Sequence, residues 1–174
     1  MKKLLPYCLI ALLTISLVAC KNGSDSSGGG SGTTTPATNA TPLQGTWIHQ
    51  EQEVAGVSGS ETFVFNGSNC SLATVVIDAS SSPSVTTTMT LTGTFRLDNG
   101  NLYLTIQNAT YVSNTTTPIN CTTFEEVQAL IEAAGGSLGF SKGTEFLYGA
   151  YAVNGNTLTL TDTNTSSTIS FTKQ

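Results

Sequence analysis

The stretch that decides the fold is Val85-Thr-Thr-Thr-Met-Thr-Leu-Thr-Gly-Thr-Phe-Arg-Leu97, followed by Asp98-Asn99-Gly100-Asn101 and then Leu102, Leu104 and Ile106. Val85, Met89, Leu91, Phe95 and Leu97 share one face at a period of two, and Thr or Arg fills the other. That is the signature of a half-buried antiparallel strand. Asn-Gly between two such runs marks a tight hairpin, because both residues tolerate positive φ. The same device recurs outward along the chain. Thr62–Phe65 turns through Asn66-Gly67 into Ser71–Asp78, and Phe146–Val153 turns through Asn154–Asn156 into Leu158 and Leu160. A looser turn at Asp162–Thr165 leads to Ile169 and Phe171, and Gly45–Glu53 opens the series. Eight strands result.

One helix interrupts them. Thr122 and Glu125 fit a capping box, Phe124, Val127, Leu130, Ile131 and Ala134 mark one face at helical spacing, and Gly135-Gly136 stops it. The expected fold is therefore all-β, an eight-stranded antiparallel up-and-down barrel with one short helix between strands five and six. Closure removes the exposed edges that an open sheet must protect. A β-sandwich is the alternative, and only residues 108–122 and 135–144 are long enough to supply its crossing connections.

Composition agrees with strands and excludes several functions. Only 10% of the 174 residues are charged, against roughly 25% in ordinary soluble domains. Threonine and serine, at 30 and 19 residues, take the polar role instead. No Lys/Arg footprint for nucleic acid exists, and the Glu, Lys, Ala and Leu content of a coiled coil is absent.

The first 19 residues read as an address. Lys2 and Lys3 precede the uncharged Leu4–Val18, which is shorter than the roughly 20 residues of a membrane span. The ending Leu17-Val18-Ala19-Cys20 resembles the lipobox of bacterial lipoproteins. The resemblance implies cleavage before Cys20, acylation of Cys20, and anchoring in the cell envelope. Lys21 after the cysteine, by likeness to enterobacterial sorting, implies the outer membrane. An ordinary signal peptide or uncleaved anchor is the alternative. Cleavage removes two lysines and leaves four basic against eleven acidic residues, a net charge of −7. Such a surface repels anionic head groups, so the acyl chains supply the attachment. Residues 20–42 hold the modified cysteine and a Gly/Ser/Thr tether too polar to fold, with a reach of about 25 Å. Residues 43–174 form one domain.

The opening Gly45-Thr46-Trp47 matches the G-x-W signature on the first strand of lipocalins. The ending from Tyr151 to Leu160, with Phe171-Thr172-Lys173, resembles that of small bacterial lipocalin-like lipoproteins. The likeness implies a barrel that holds a small apolar ligand. Two features depart from it: the helix falls inside the strand series, and the late arginine that packs on the tryptophan is missing. Arg96 is the only arginine of the chain, and Lys173 stands nearest to the missing position.

If Trp47 points into the barrel, His49 and Glu51 share its face and form a ligand-binding constellation of a few polar groups in an apolar cavity. Alternatively, a bulge after Trp47 turns both out to water. A filled barrel that contacts another envelope protein is the second functional reading. With Cys8 removed and Cys20 acylated, Cys70 and Cys121 remain as one pair, and outside the cytoplasm a disulfide is expected between them. It would contribute about 4 kcal/mol. Two buried free thiols are the alternative.

Catalysis is not expected. Gly135-Gly136-Ser137-Leu138-Gly139 matches G-x-S-x-G, but a helix precedes it where a nucleophile elbow needs a strand. Glu51 and Glu53 on one strand face read as solvated rather than as a glycosidase pair. Two cysteines and one distant histidine offer too few ligands for zinc. No cofactor is implied.

Overall fold

The structure, a computed structural model, describes residues 42–174. The signal segment, Cys20 and all of the expected tether except Pro42 lie outside the described residues. Among the described residues nine strands and one helix follow one another: β1 (Gly45–Gln50), β2 (Val57–Asn66), β3 (Asn69–Asp78), β4 (Val85–Asp98), β5 (Asn101–Ser113), β6 (Ile119–Cys121), α1 (Phe124–Ala133), β7 (Glu145–Asn154), β8 (Thr157–Thr161) and β9 (Thr168–Lys173).

Eight of the strands form a closed antiparallel ring. The pairing runs β4-β3-β2-β1-β9-β8-β7-β5, and β5 pairs back to β4. This is the expected up-and-down order. The short β6 is an addition. β5 pairs with β7 over Asn101–Thr105 and with β6 over Tyr111–Ser113, so β6 and α1 occupy the wedge where β7 has left β5. The hairpin turns are built as their residues require: Asn99 and Gly100 take φ of 49° and 79°, the left-handed pair of a type I′ turn.

Two expectations need correction. The cap of α1 is Thr123 with Glu126, one residue later than the reading from Thr122 and Glu125. The Thr123 hydroxyl accepts from the Glu126 N–H, and the Glu126 carboxylate accepts from the Thr122 and Thr123 amides at 2.7 and 3.2 Å. Glu125 instead pairs with Lys142 at 2.8 Å. The second correction is β5, which continues well past Ile106. A register shift between Thr92 and Gly93 on β4 displaces its alternation, so that Ala109 and Tyr111 resume the inner face. Gly93 is needed there because a Cβ would lie 2.0 Å from the Thr105 carbonyl oxygen.

The ring has two unlike ends. At the end where β1 starts and β2 finishes, Trp47, Phe63, Phe65, Leu102, Leu158 and Phe171 are buried and fill the interior. Phe63 and Phe65 stack at 5.2 Å, with the Phe95 ring edge-on to Phe65 at 4.8 Å. We call this the filled end. The Trp47 indole N–H donates to the Leu43 carbonyl at 2.6 Å, and Lys173 Nζ lies 5.1 Å from the centre of its ring. The opposite end, where β1 finishes and β2 starts, is the rim.

Truncating a filled-end aromatic should cost far more than trimming the outer wall. Phe63→Ala is expected to lower the unfolding free energy by about 3–5 kcal/mol, and Gly93→Ala by about 1–3 kcal/mol through overpacking. Thr94→Ala, on the exposed face, should stay within about 0.5 kcal/mol. Urea unfolding followed by the fluorescence of the single tryptophan measures all three.

Candidate functional site

β1 and β2 pair without a break from Gly45↔Phe65 to Gln50↔Ser60. The Glu51 N–H extends the ladder by donating to the Gly59 carbonyl at 2.9 Å. No bulge follows Trp47, and the alternation carries His49 to the inner face. Its ring lies 5.6 Å from that of buried Phe171, and its Nδ1 donates to the Ser170 carbonyl at 2.9 Å, which sets the proton on Nδ1. Glu51 sits exposed at the rim. A Cβ built on Gly59 would come within 2.6 Å of Glu51 Oε2, so the Glu51 carboxyl lies over the inner side of β2 where Gly59 leaves room for it. Glu53 is exposed. Trp47 stands apart from these residues, in the packed filled end.

The residue that organises the rim is Glu61. It pairs across the strands with His49 on one side and Thr74 on the other. The inner faces of β1, β2 and β3 thus carry His49, Glu61 and Thr74 side by side. Glu61 is 5% exposed, and its Oε2 is buried with no hydrogen-bond partner. Thr74 Oγ1 is buried in the same condition. A buried polar atom left unpaired costs about 1–3 kcal/mol, and native folds keep few of them. Here two fall on directly opposed residues, which packing alone does not account for.

Electrostatics follow from this burial. The Glu61 carboxyl is raised above its ordinary value of 4.5, first by desolvation and then by the nearby Glu51, with His49 acting in the opposite sense. The Tyr148 phenol on β7 is raised as well, by burial and by Glu61. Its ring meets Phe63 edge-on at 5.4 Å, so an aromatic wall of Tyr148, Phe63 and Phe171 underlies the carboxyl. No group of three or more His, Cys, Asp or Glu among the described residues could hold a metal ion.

No family model, curated protein or solved structure matches this chain.

The expected disulfide is not formed. Cys70 and Cys121 are both buried free thiols. Cys70 pairs with Gly93, which lies opposite Ile106, whereas Cys121 pairs with Tyr111. The five residues from Ile106 to Tyr111 span about 17 Å along β5, while a disulfide needs Cα atoms within about 7 Å. Burial pushes the Cys70 thiol up to about 11. Burial raises Cys121 too, with Glu126 adding to the effect. Ser137 lies exposed in the loop after α1, where its hydroxyl accepts from the Gly139 N–H at 3.1 Å.

Glu61 and Thr74 were not legible as site residues. Yet extending the Phe63/Phe65 alternation upstream puts Glu61 and Gly59 on the inner face, and that was the available signal. Tyr148 lies within an expected strand, but nothing local distinguishes its phenol from core packing.

Two measurements follow from this geometry. Native-state alkylation read by peptide mass should leave Cys70 and Cys121 unmodified at neutral pH, and unfolding should expose both as free thiols. The second concerns Glu61. Its folded carboxyl keeps a proton to higher pH than the unfolded chain does, so folding binds a proton in that window. The contribution of Glu61 to stability is therefore greatest below about 4.5 and is lost as pH rises through the raised value. Glu61→Gln should flatten this fall, which Tm against pH for the two proteins would register.

Proposed function

We propose that the chain is a lipid-anchored lipoprotein of the cell envelope, held through acylated Cys20 in the outer membrane, whose ring takes a small ligand at the rim. One observation carries the binding reading: Glu61 Oε2 and Thr74 Oγ1 are buried, opposed and unpaired. Polar groups of this kind fix a ligand's orientation in otherwise apolar sites. The filled end is occupied by its own side chains, and at the Glu61 level Met89 and Tyr111 are buried on β4 and β5, so the ligand's place is the polar side of the rim, beside His49, Glu51 and Glu61. His49 and Glu51 flank that place, and Trp47 supports the floor beneath it. The lipocalin-like reading of the domain draws support from the closed ring and from Lys173, whose ammonium lies over Trp47. A lysine gives cation–π attraction there without the planar stacking of an arginine.

The second reading is a filled ring that serves as an interaction module. It is favoured by an open groove of about 430 Å³ on the outer wall, lined by Val64, Asn66, Asn69, Thr92, Thr94 and Gln107 among others. Uncharged amide and hydroxyl groups there suit a hydrogen-bonding protein surface.

Native mass spectrometry of the chain extracted from its host envelope separates the two. A bound small molecule that disappears in Glu61→Gln is the expected result, and bare protein in both cases would leave the interaction module. Anchoring has its own check: Cys20→Ser should move the chain from the membrane fraction to the soluble one.

A further inference from the structure

We infer that the rim binds the ammonium head of a small organic amine between the carboxylates of Glu51 and Glu61, over the inner side of Gly59. This rests on the binding reading above and names its ligand class. Three observations converge on a cation. Glu61 has a buried, unpaired carboxylate oxygen, and a second carboxylate, that of Glu51, lies over the next inward position of the same strand. Two acceptor groups so placed need donors, and an ammonium brings three. The wall beneath is aromatic: Phe63 meets Tyr148 at 5.4 Å and Phe171 at 5.6 Å. The faces of such rings attract cations.

The donor set argues for an organic cation over a metal ion. Calcium takes six to eight oxygens and magnesium holds a strict octahedron. The described residues offer no cluster of three or more anionic or imidazole ligands. An anion would meet two carboxylates, and a neutral alcohol would leave the charge of Glu51 uncompensated. Gly59 makes the arrangement possible, since its missing side chain is the space over which Glu51 lies. The net negative charge of the chain further favours the approach of a cation.

His49 is the only histidine of the chain, so its ring signals in NMR report on the rim without ambiguity. The test is a titration of the full chain in detergent with butylamine, butanol, butyrate and calcium chloride. Butylamine should shift the His49 signals saturably, with a Kd at least tenfold below that of butanol and with no response to butyrate. Glu61→Gln should raise that Kd at least tenfold. Gly59→Ala should do the same with the fold intact, because the Glu51 side chain can swing aside. If butanol binds as tightly as butylamine, the ammonium inference fails while the ligand-binding reading stands. A saturable response to calcium that displaces the amine overturns the inference in favour of a metal. No saturable shift with any of the four overturns the ammonium inference, and the binding reading is then decided by the native mass spectrometry alone. The comparison among ligands uses the unmodified chain, so it holds even if a variant fails to fold.

Discussion

The ring depends on a narrow seam. Its first and last strands meet over only two residue pairs, Trp47↔Lys173 and Ile48↔Thr172. These residues are more than a hundred positions apart in the chain, so the seam carries the largest loop-closure cost in the fold. Trp47 compensates for its shortness. It is fully buried, its indole is hydrogen-bonded to Leu43, and its ring receives the Lys173 ammonium. Without the seam, β1 and β9 become free edges, and unpaired edges invite association with other chains. The flanking contacts of His49 with Ser170 and Phe171 lengthen the seam by side chains where backbone pairing has stopped.

The two ends of the interior differ on the β1–β3 side. At the filled end, large apolar side chains interlock as a core should. At the rim the inner faces of β1, β2 and β3 carry His49, Glu61 and Thr74; further round, β4 and β5 add buried Met89 and Tyr111 at the same level and a buried Thr87–Ser113 hydroxyl pair at 3.1 Å at the level of Gly59. The hydroxyl pair is satisfied; the Glu61–Thr74 pair is not. That difference sets the Glu61–Thr74 pair apart from a satisfied polar element of the core. It also explains why burial raises the carboxyl of Glu61 with no hydrogen bond to offset it. On the outer wall, Arg96 grips Glu145 through two bonds of 2.9 and 3.1 Å and covers the Tyr103 ring. This ties β4, β5 and β7 together beside the wedge, although exposed pairs of this kind contribute little.

Much of the ring was legible because antiparallel strands with one wet face write their period into the sequence. Threonine on the outer face and Leu, Phe or Met on the inner one made β4 unmistakable, and Asn-Gly turns set its boundaries. The reading failed where an inner position is polar or missing. Val57, Gly59 and Glu61 obey the same period as Phe63 and Phe65, but a glycine and a glutamate on the inner face look like a loop. The first half of β2 was therefore lost, and Glu61 with it. The bulge at Gly93 hid the second half of β5 for a related reason: a one-residue slip breaks the alternation that identifies a strand. The cysteines show a different limit. Pairing them rested on number and compartment, whereas the distance between them depends on the register of four strands.

The placement of the chain's entry point has a further consequence. Gly45 begins β1 and Lys173 ends β9 at the filled end, because the two strands are antiparallel neighbours and pair beside Trp47. The Glu51 rim lies at the far end of the same strands, about 20 Å away for a six-residue strand. Any restraint acting upstream of Pro42 pulls on the ring from its closed base. A pull from that side would leave the Glu51 rim facing away from its source.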